Sequence, residues 1–176
     1  EDTTDAGPAS LCLGGTAAGV NRVNTGIANA PGGANSLSVT VKGGVWAFSL
    51  PSTYTGDCVI EGGTVLANAA SPGCLGAGRV KLMPGGTLGG TGLVTSADGA
   101  VLQYAGATLS PGDPSVNGGI GCLTYGTVPG LSGVRLVCQA TAETNDSVRI
   151  NGTVSVPGFM AVELVAASAQ ACPDAV

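Results

Sequence analysis

The stretch Gly44–Gly112 reads GVWAFSLPSTYTGDCVIEGGTVLANAASPGCLGAGRVKLMPGGTLGGTGLVTSADGAVLQYAGATLSPG, and one short phrase keeps returning within it. It stands as Gly62-Gly63-Thr64-Val65, as Gly85-Gly86-Thr87-Leu88 and as Gly106-Ala107-Thr108-Leu109, its threonines 23 and then 21 residues apart. Looser echoes follow at Gly126-Thr127-Val128 and Gly152-Thr153-Val154. A turn glycine before a β-branched residue, repeated every twenty-odd positions, predicts one solenoid coil per repeat. A single coil cannot bury its own apolar face, so each must stack on its neighbours.

Composition agrees with a thin, layered interior. Apolar residues make up 44% of the chain but aromatics only 3%, so the core must be built from Ala, Val and Leu rather than from rings. The 31 glycines and 10 prolines could signal disorder. Val, Leu and Ile nevertheless recur at regular intervals and the net charge is only −5, which suits a chain that buries enough apolar surface to fold. The basic residues, Arg22, Lys42, Arg79, Lys81, Arg135 and Arg149, never form a run, which argues against a nucleic-acid footprint. No apolar run reaches the roughly 20 residues of a membrane span. A chain opening on Glu1 with no leader pattern is expected to be a processed product.

The strands follow from alternation and from turn chemistry. Leu37, Val39 and Val41 alternate with polar residues over Ser36–Lys42. Val45–Leu50 comes next, and its large side chains Trp46, Phe48 and Leu50 define the face expected to be buried. Shorter strands are expected at Cys58–Ile60, Thr64–Leu66, Val80–Met83, Ala100–Tyr104, Leu123–Tyr125, Val134–Cys138, Ser147–Ile150, Thr153–Val156 and Met160–Val165. Pro-Gly pairs at Pro72, Pro84, Pro111, Pro129 and Pro157 mark corners, Pro presetting one turn position and Gly supplying the next. Residues 1–10 carry three acids and no apolar pattern and are expected to form a flexible arm. Residues 11–176 form a single all-β domain with coils clearest in 43–165. Short strands at such spacing also fit a β-sandwich, the alternative fold.

The six cysteines, Cys12, Cys58, Cys74, Cys122, Cys138 and Cys172, contain no CxxC pair, and the chain has no histidine to complete a mixed zinc site. Disulfides in an oxidising compartment are the expectation. Cys58 to Cys74 and Cys122 to Cys138 are both separations of 16, which favours those two pairs. Cys12 and Cys172 would then pair within one chain or between chains.

Lack of histidine removes His-based acid–base catalysis and every Ser-His-Asp arrangement. Asp57 with Glu61, or Asp98 with Asp113, could work as carboxylate pairs, but Asp in turns is expected for its backbone hydrogen bonds. Calcium could be held by Asp2 and Asp5 or by Glu143 and Asp146, and a solvated acidic loop is the plainer reading. No cofactor or metal is expected, and no enzymatic role. The triplets Asn145-Asp146-Ser147 and Asn151-Gly152-Thr153 match a glycosylation acceptor. Tyr54, Tyr104 and Tyr125 could line a sugar-binding strip or serve as packing residues.

Several phrases occur together in order: Tyr54-Thr55-Gly56, Gly62-Gly63-Thr64-Val65, Leu75-Gly76-Ala77-Gly78-Arg79-Val80, Gly85-Gly86-Thr87-Leu88-Gly89-Gly90-Thr91-Gly92 and Leu109-Ser110-Pro111-Gly112. With Asn145-Asp146-Ser147-Val148 and Asn151-Gly152-Thr153-Val154 after them, residues 43–165 resemble the autotransporter-associated β-strand repeat of bacterial surface proteins. That resemblance implies a right-handed parallel β-helix, exported to a bacterial cell surface, with no shared chemistry. The repeat is usually cysteine-poor, and here Cys58 and Cys74 enter the same coil, which supports their pairing. The expected role is an extracellular structural protein, either a self-assembling fibre subunit or an adhesin-type passenger. Its partners would be copies of itself or surface glycans. The alternative is a carbohydrate-binding or carbohydrate-active β-helix protein. End coils expose unpaired backbone groups, so the strand carrying Met160, Val162 and Leu164 is the expected assembly edge.

Overall fold

The computed structural model describes residues 8–31, 35–96, 101–127, 129–151 and 158–166. Its strands, numbered in chain order, fall into three parallel stacks. Stack A holds β1 (Ala9–Leu13), β3 (Leu37–Val41), β5 (Cys58–Ile60), β7 (Val80–Leu82) and β10 (Val101–Gln103). Stack B holds β2 (Val20–Val23), β4 (Val45–Phe48), β6 (Gly63–Ala67), β8 (Gly86–Gly90), β11 (Thr108–Pro111), β13 (Arg135–Ala140) and β15 (Ala161–Ala166). Stack C holds β9 (Leu93–Val94), β12 (Cys122–Tyr125) and β14 (Ser147–Ile150). The chain alternates between A and B through β6, adds a C strand in the next two coils (β7 to β12), and then alternates between B and C to β15, each new strand lying one step further along its stack. This is a β-solenoid, with coil 1 carrying β1 and β2 and coil 7 carrying β15. All strand-to-strand pairings among the described residues are parallel, which excludes the β-sandwich alternative.

The repeated threonines fix the register. Thr64 lies opposite Thr87, and Thr87 opposite Thr108. The next partner in that row is Arg135, not Thr127. A long excursion between β11 and β12, with a 3-10 turn at Asn117–Gly119, lengthens coil 5 and pushes Thr127 past stack C. Thr153 and the expected strand Thr153–Val156 lie outside the described residues.

Each threonine is outward and the residue after it points in. Val65, Leu88 and Leu109 stack in one inward row with no more than 1% exposure. Stack A contributes two inward rows, Leu11–Val39–Cys58–Val80–Val101 and Leu13–Val41–Ile60–Leu82–Gln103. Burying one such Val or Leu side chain contributes about 1.5–3 kcal/mol, so the interior is a sum of many small layers. At the base of the second row Gln103 donates from Nε2 to the buried Tyr125 hydroxyl at 2.7 Å.

Glycine is required where coils come closest. At the A-to-B corner Gly63 has φ of +69°, and a Cβ there would stand 2.4 Å from the Gly44 carbonyl oxygen. Gly90 ends β8 with φ of +103°, and its Cβ would lie 2.3 Å from the Ala67 carbonyl oxygen. For this reason Gly86–Gly90, a turn-like string by composition, forms a full strand.

Two expectations change. β1 begins at Ala9, inside the segment expected as a loose arm, and Ala9 and Ser10 pair with Leu37 and Ser38. In β4, Phe48 is buried and Trp46 partly so, but Leu50 is 45% exposed because the strand ends at Phe48. Ala47, on the opposite face, is fully buried. The excursion after β11 bonds the neighbours of that face, Arg22 opposite Ala47 donating to Ser115 and Asn68 to Asp113, a contact alternation alone could not foresee.

Candidate functional site at the open end of the solenoid

The expected assembly strand is the last one described. Val162 continues the inward row of Leu109 and Leu136, and Leu164 follows two residues on. Residues of this row are sealed in coils 3 to 5, yet Val162 is 57% and Leu164 75% exposed. They are core residues by position, and no coil lies beyond them among the described residues. Met160 is half-buried against the core, and Phe159 is open to solvent. β15 pairs with β13 along one edge over its whole length. Its other edge has no strand partner among the described residues, so it presents backbone donors and acceptors beside an apolar row. On the outer side Glu163 ion-pairs with Arg135.

The opposite end of the same row carries polar chemistry, on β2, whose outer edge has no strand partner among the described residues. Asn21 stands above Trp46 and donates from Nδ2 to the Val45 carbonyl at 3.1 Å. The Trp46 indole donates to the Gly43 carbonyl at 3.0 Å.

A second polar cluster braces the outer face of stack B. Asp113, at the root of the long excursion, is 1% exposed. Its Oδ1 accepts from the Ser115 N–H at 2.9 Å and from the Ser115 hydroxyl, and its Oδ2 accepts from Asn68 Nδ2 at 2.8 Å. Arg22 in coil 1 lies 4.0 Å from Oδ2 and also donates to the Ser115 hydroxyl oxygen. Burial alone would raise the Asp113 pKa. The Ser115 and Asn68 hydrogen bonds, with the Arg22 charge, outweigh burial and hold the carboxyl below its ordinary value. The excursion is thus tied back from coil 5 to coils 3 and 1, over Ala47 and Leu66. Nothing in the sequence pointed to Arg22 or Asn68. The signal was local only, an Asp two residues before a Ser in a Pro-Gly-Asp-Pro-Ser turn.

The other expected carboxylate sites are separate structural contacts. Asp57 lies 2.5 Å from Lys81 and accepts from the Arg79 N–H, while Glu61 lies 3.7 Å from Lys42. For Asp57, too, burial raises the pKa, and the Lys81 and Arg79 interactions outweigh it. Asp98, Asp2 and Asp5 lie outside the described residues. Asp146 is buried and accepts from the N–H groups of Gly121 and Gln139 at 2.7 and 2.8 Å, so it joins coils 5 and 6. Among the described residues no group of three or more metal-ligating side chains occurs. Tyr54 and Tyr125 are fully buried and Tyr104 is exposed, so the three tyrosines form no surface strip. Asn145 Nδ2 donates to the Asp146 carbonyl.

Cys12, Cys58, Cys74, Cys122 and Cys138 are free thiols, and Cys172 lies outside the described residues. The pairing expected for Cys122 and Cys138 is not formed. Cys122 alternates with the buried Leu123 and Tyr125 and so shares the outer side with Thr124, 4.0 Å from its hydroxyl. Cys138 shares the inward parity of Leu136 on a different stack. The burial of Cys138, with the Asp146 charge nearby, raises its thiol pKa. The pairing of Cys58 and Cys74 is not formed either, although both are sealed in coil 3 beside Tyr54. Burial pushes the Cys58 thiol up to about 12, with Tyr54 pulling against it and Cys74 adding to it.

Comparison of the chain with protein families, curated proteins and solved structures finds no match. Among the described residues no helix is long and apolar enough to cross a membrane.

Proposed function

We propose that this chain is an extracellular structural protein of a bacterial surface, a right-handed β-solenoid that assembles end to end as a fibre subunit or adhesin-type passenger. The observation that carries this reading is the row at Val162 and Leu164, uncovered among the described residues and set beside a parallel edge with no strand partner among them. Head-to-tail contact between unlike ends yields an open filament when the rotation does not close. Right-handedness follows the near-universal preference of parallel crossovers. The resemblance to the surface-protein repeat supports the location. In an oxidising compartment this reading joins Cys58 to Cys74. Exchange with a small disulfide such as oxidised glutathione, before the coil closes over both thiols, would yield one protein disulfide and two glutathione thiols.

Negative-stain imaging beside size-exclusion chromatography, with and without reductant, tests the proposal. Filaments or large oligomers are expected from the wild type, and monomers from the double variant Val162→Lys with Leu164→Lys. A wild type that stays monomeric at high concentration under both conditions would overturn it.

A further inference from the structure

The register of stack B specifies which residues meet if a second copy continues the solenoid. This inference rests on the assembly reading above. Along the stack one outward row runs Val20, Val45, Thr64, Thr87, Thr108, Arg135 and Ala161. Extending it by one parallel step places Val20 of the next copy beside Ala161. The following positions then fall in order: Asn21 beside Val162, Arg22 beside Glu163, and Val23 beside Leu164. Two of these four matches are chemically favourable. Leu164, 75% exposed, meets Val23, which already packs partly against the core of its own coil. Glu163 and Arg22 are both outward, opposite in charge and on adjacent strands, where a cross-strand pair of opposite sign is stabilising. Val162 meets Asn21, whose amide already donates to Val45, so the apolar residue meets a side chain with a satisfied donor.

Other registers lose this. A shift of two residues keeps the faces but puts Glu163 beside Val20 or beyond the end of β2. Antiparallel pairing of two β15 strands brings like-charged Glu163 residues toward one another, and like charges facing across strands are unfavourable.

We infer that the edge of β15 left unpaired among the described residues docks on the corresponding edge of β2 of a second copy of this chain. The pairing is parallel, with Glu163 beside Arg22 and Leu164 beside Val23. Arg22 already bonds Ser115 and lies near Asp113, and Glu163 already bonds Arg135. The contact therefore joins two charged clusters that each exist in the free chain, without ordering new side chains.

The test uses Arg22→Lys, which keeps the charge and supplies an amine. Filaments of this variant are treated with a carbodiimide, digested, and mapped by mass spectrometry. Within one chain coils 1 and 7 are six strand spacings apart, on the order of 30 Å. A zero-length amide between the amine introduced by Arg22→Lys and the Glu163 carboxylate can therefore form only between copies. The expected result is that link as the main intermolecular product. In parallel, wild type and Glu163→Gln are compared by critical concentration for assembly. Loss of about 1 kcal/mol of pairing corresponds to a rise of about fivefold. Wild-type filaments in which Glu163→Gln assembles unchanged, and in which Glu163 links elsewhere, overturn this register while leaving the assembly reading intact. Absence of wild-type filaments overturns both.

Discussion

Replacing Asp113 removes the buried carboxylate that ties the excursion of coil 5 to the rest of the solenoid. In Asp113→Ala, Asn68 Nδ2 and the Ser115 N–H and hydroxyl lose their acceptor in a site that is 1% exposed. Hydrogen bonds to a charged group contribute about 1.5–3 kcal/mol each, partly recovered if water enters. Arg22 is 39% exposed and 4.0 Å away, so its share is about 0–1 kcal/mol after solvent screening. The expected loss is about 2–4 kcal/mol in urea denaturation at neutral pH. Asp113→Asn keeps the shape but sets one amide donor against that of Asn68, and should cost about half as much. The pH dependence has a definite sign. The folded pKa of Asp113 lies below its ordinary 3.8, so its contribution is complete above that value and is lost as pH falls through the folded pKa. Wild type and Asp113→Ala should therefore differ in stability at pH 7 and converge in strong acid. Hydrogen exchange should localise the effect to residues 111–121 and to Ala47 and Leu66 beneath. A variant within about 0.5 kcal/mol of wild type at pH 7, with unchanged exchange there, would refute the clamp.

Two further contrasts test the packing. Gly63→Ala meets both a left-handed φ and the Gly44 carbonyl at 2.4 Å, whereas Gly85→Ala meets a left-handed φ with open space around it. Gly85→Ala should cost about 1–2 kcal/mol and Gly63→Ala clearly more, measured by thermal melts. Leu88→Ala, in the sealed inward row, should cost about 2–5 kcal/mol, and Leu50→Ala, at 45% exposure, no more than about 0.5.

The solenoid was legible because its register is written in small residues. Thr64, Thr87 and Thr108 share a row in the fold as they share a phrase in the chain. The strands Cys58–Ile60 and Ser147–Ile150 have the bounds that alternation suggested. Beyond coil 5 the beat misled, since Arg135 rather than Thr127 takes the next place. A row is set by the hydrogen-bonded ladder, and an excursion on one side can absorb any number of residues without disturbing it. Coil 1 was hidden for a different reason. Val20–Val23 is an Asn-Arg pair between two valines, and its strand character comes from pairing with β4 rather than from its own pattern. The Asp113 clamp joins residues 22, 68, 113 and 115, a contact set by the third dimension alone.

The clamp also changes what kind of solenoid this is. In a bare stack each coil touches only the next, so stability accumulates by nearest-neighbour steps and the ends are held least. Here Asp113 links coil 5 to coil 3 through Asn68 and to coil 1 through Arg22, and Asp146 links coil 5 to coil 6 through Gly121 and Gln139. Coil 1, the first coil among the described residues, is thereby tied into the middle of the array. Coil 7 has no buried polar tie of this kind among the described residues; there Glu163 makes the exposed pair with Arg135, and Met160 packs partly against the core. The end with a polar residue at the head of its row is the braced end. On the assembly proposed above, the row of Val162 and Leu164, uncovered among the described residues, takes its cover from the next copy's β2.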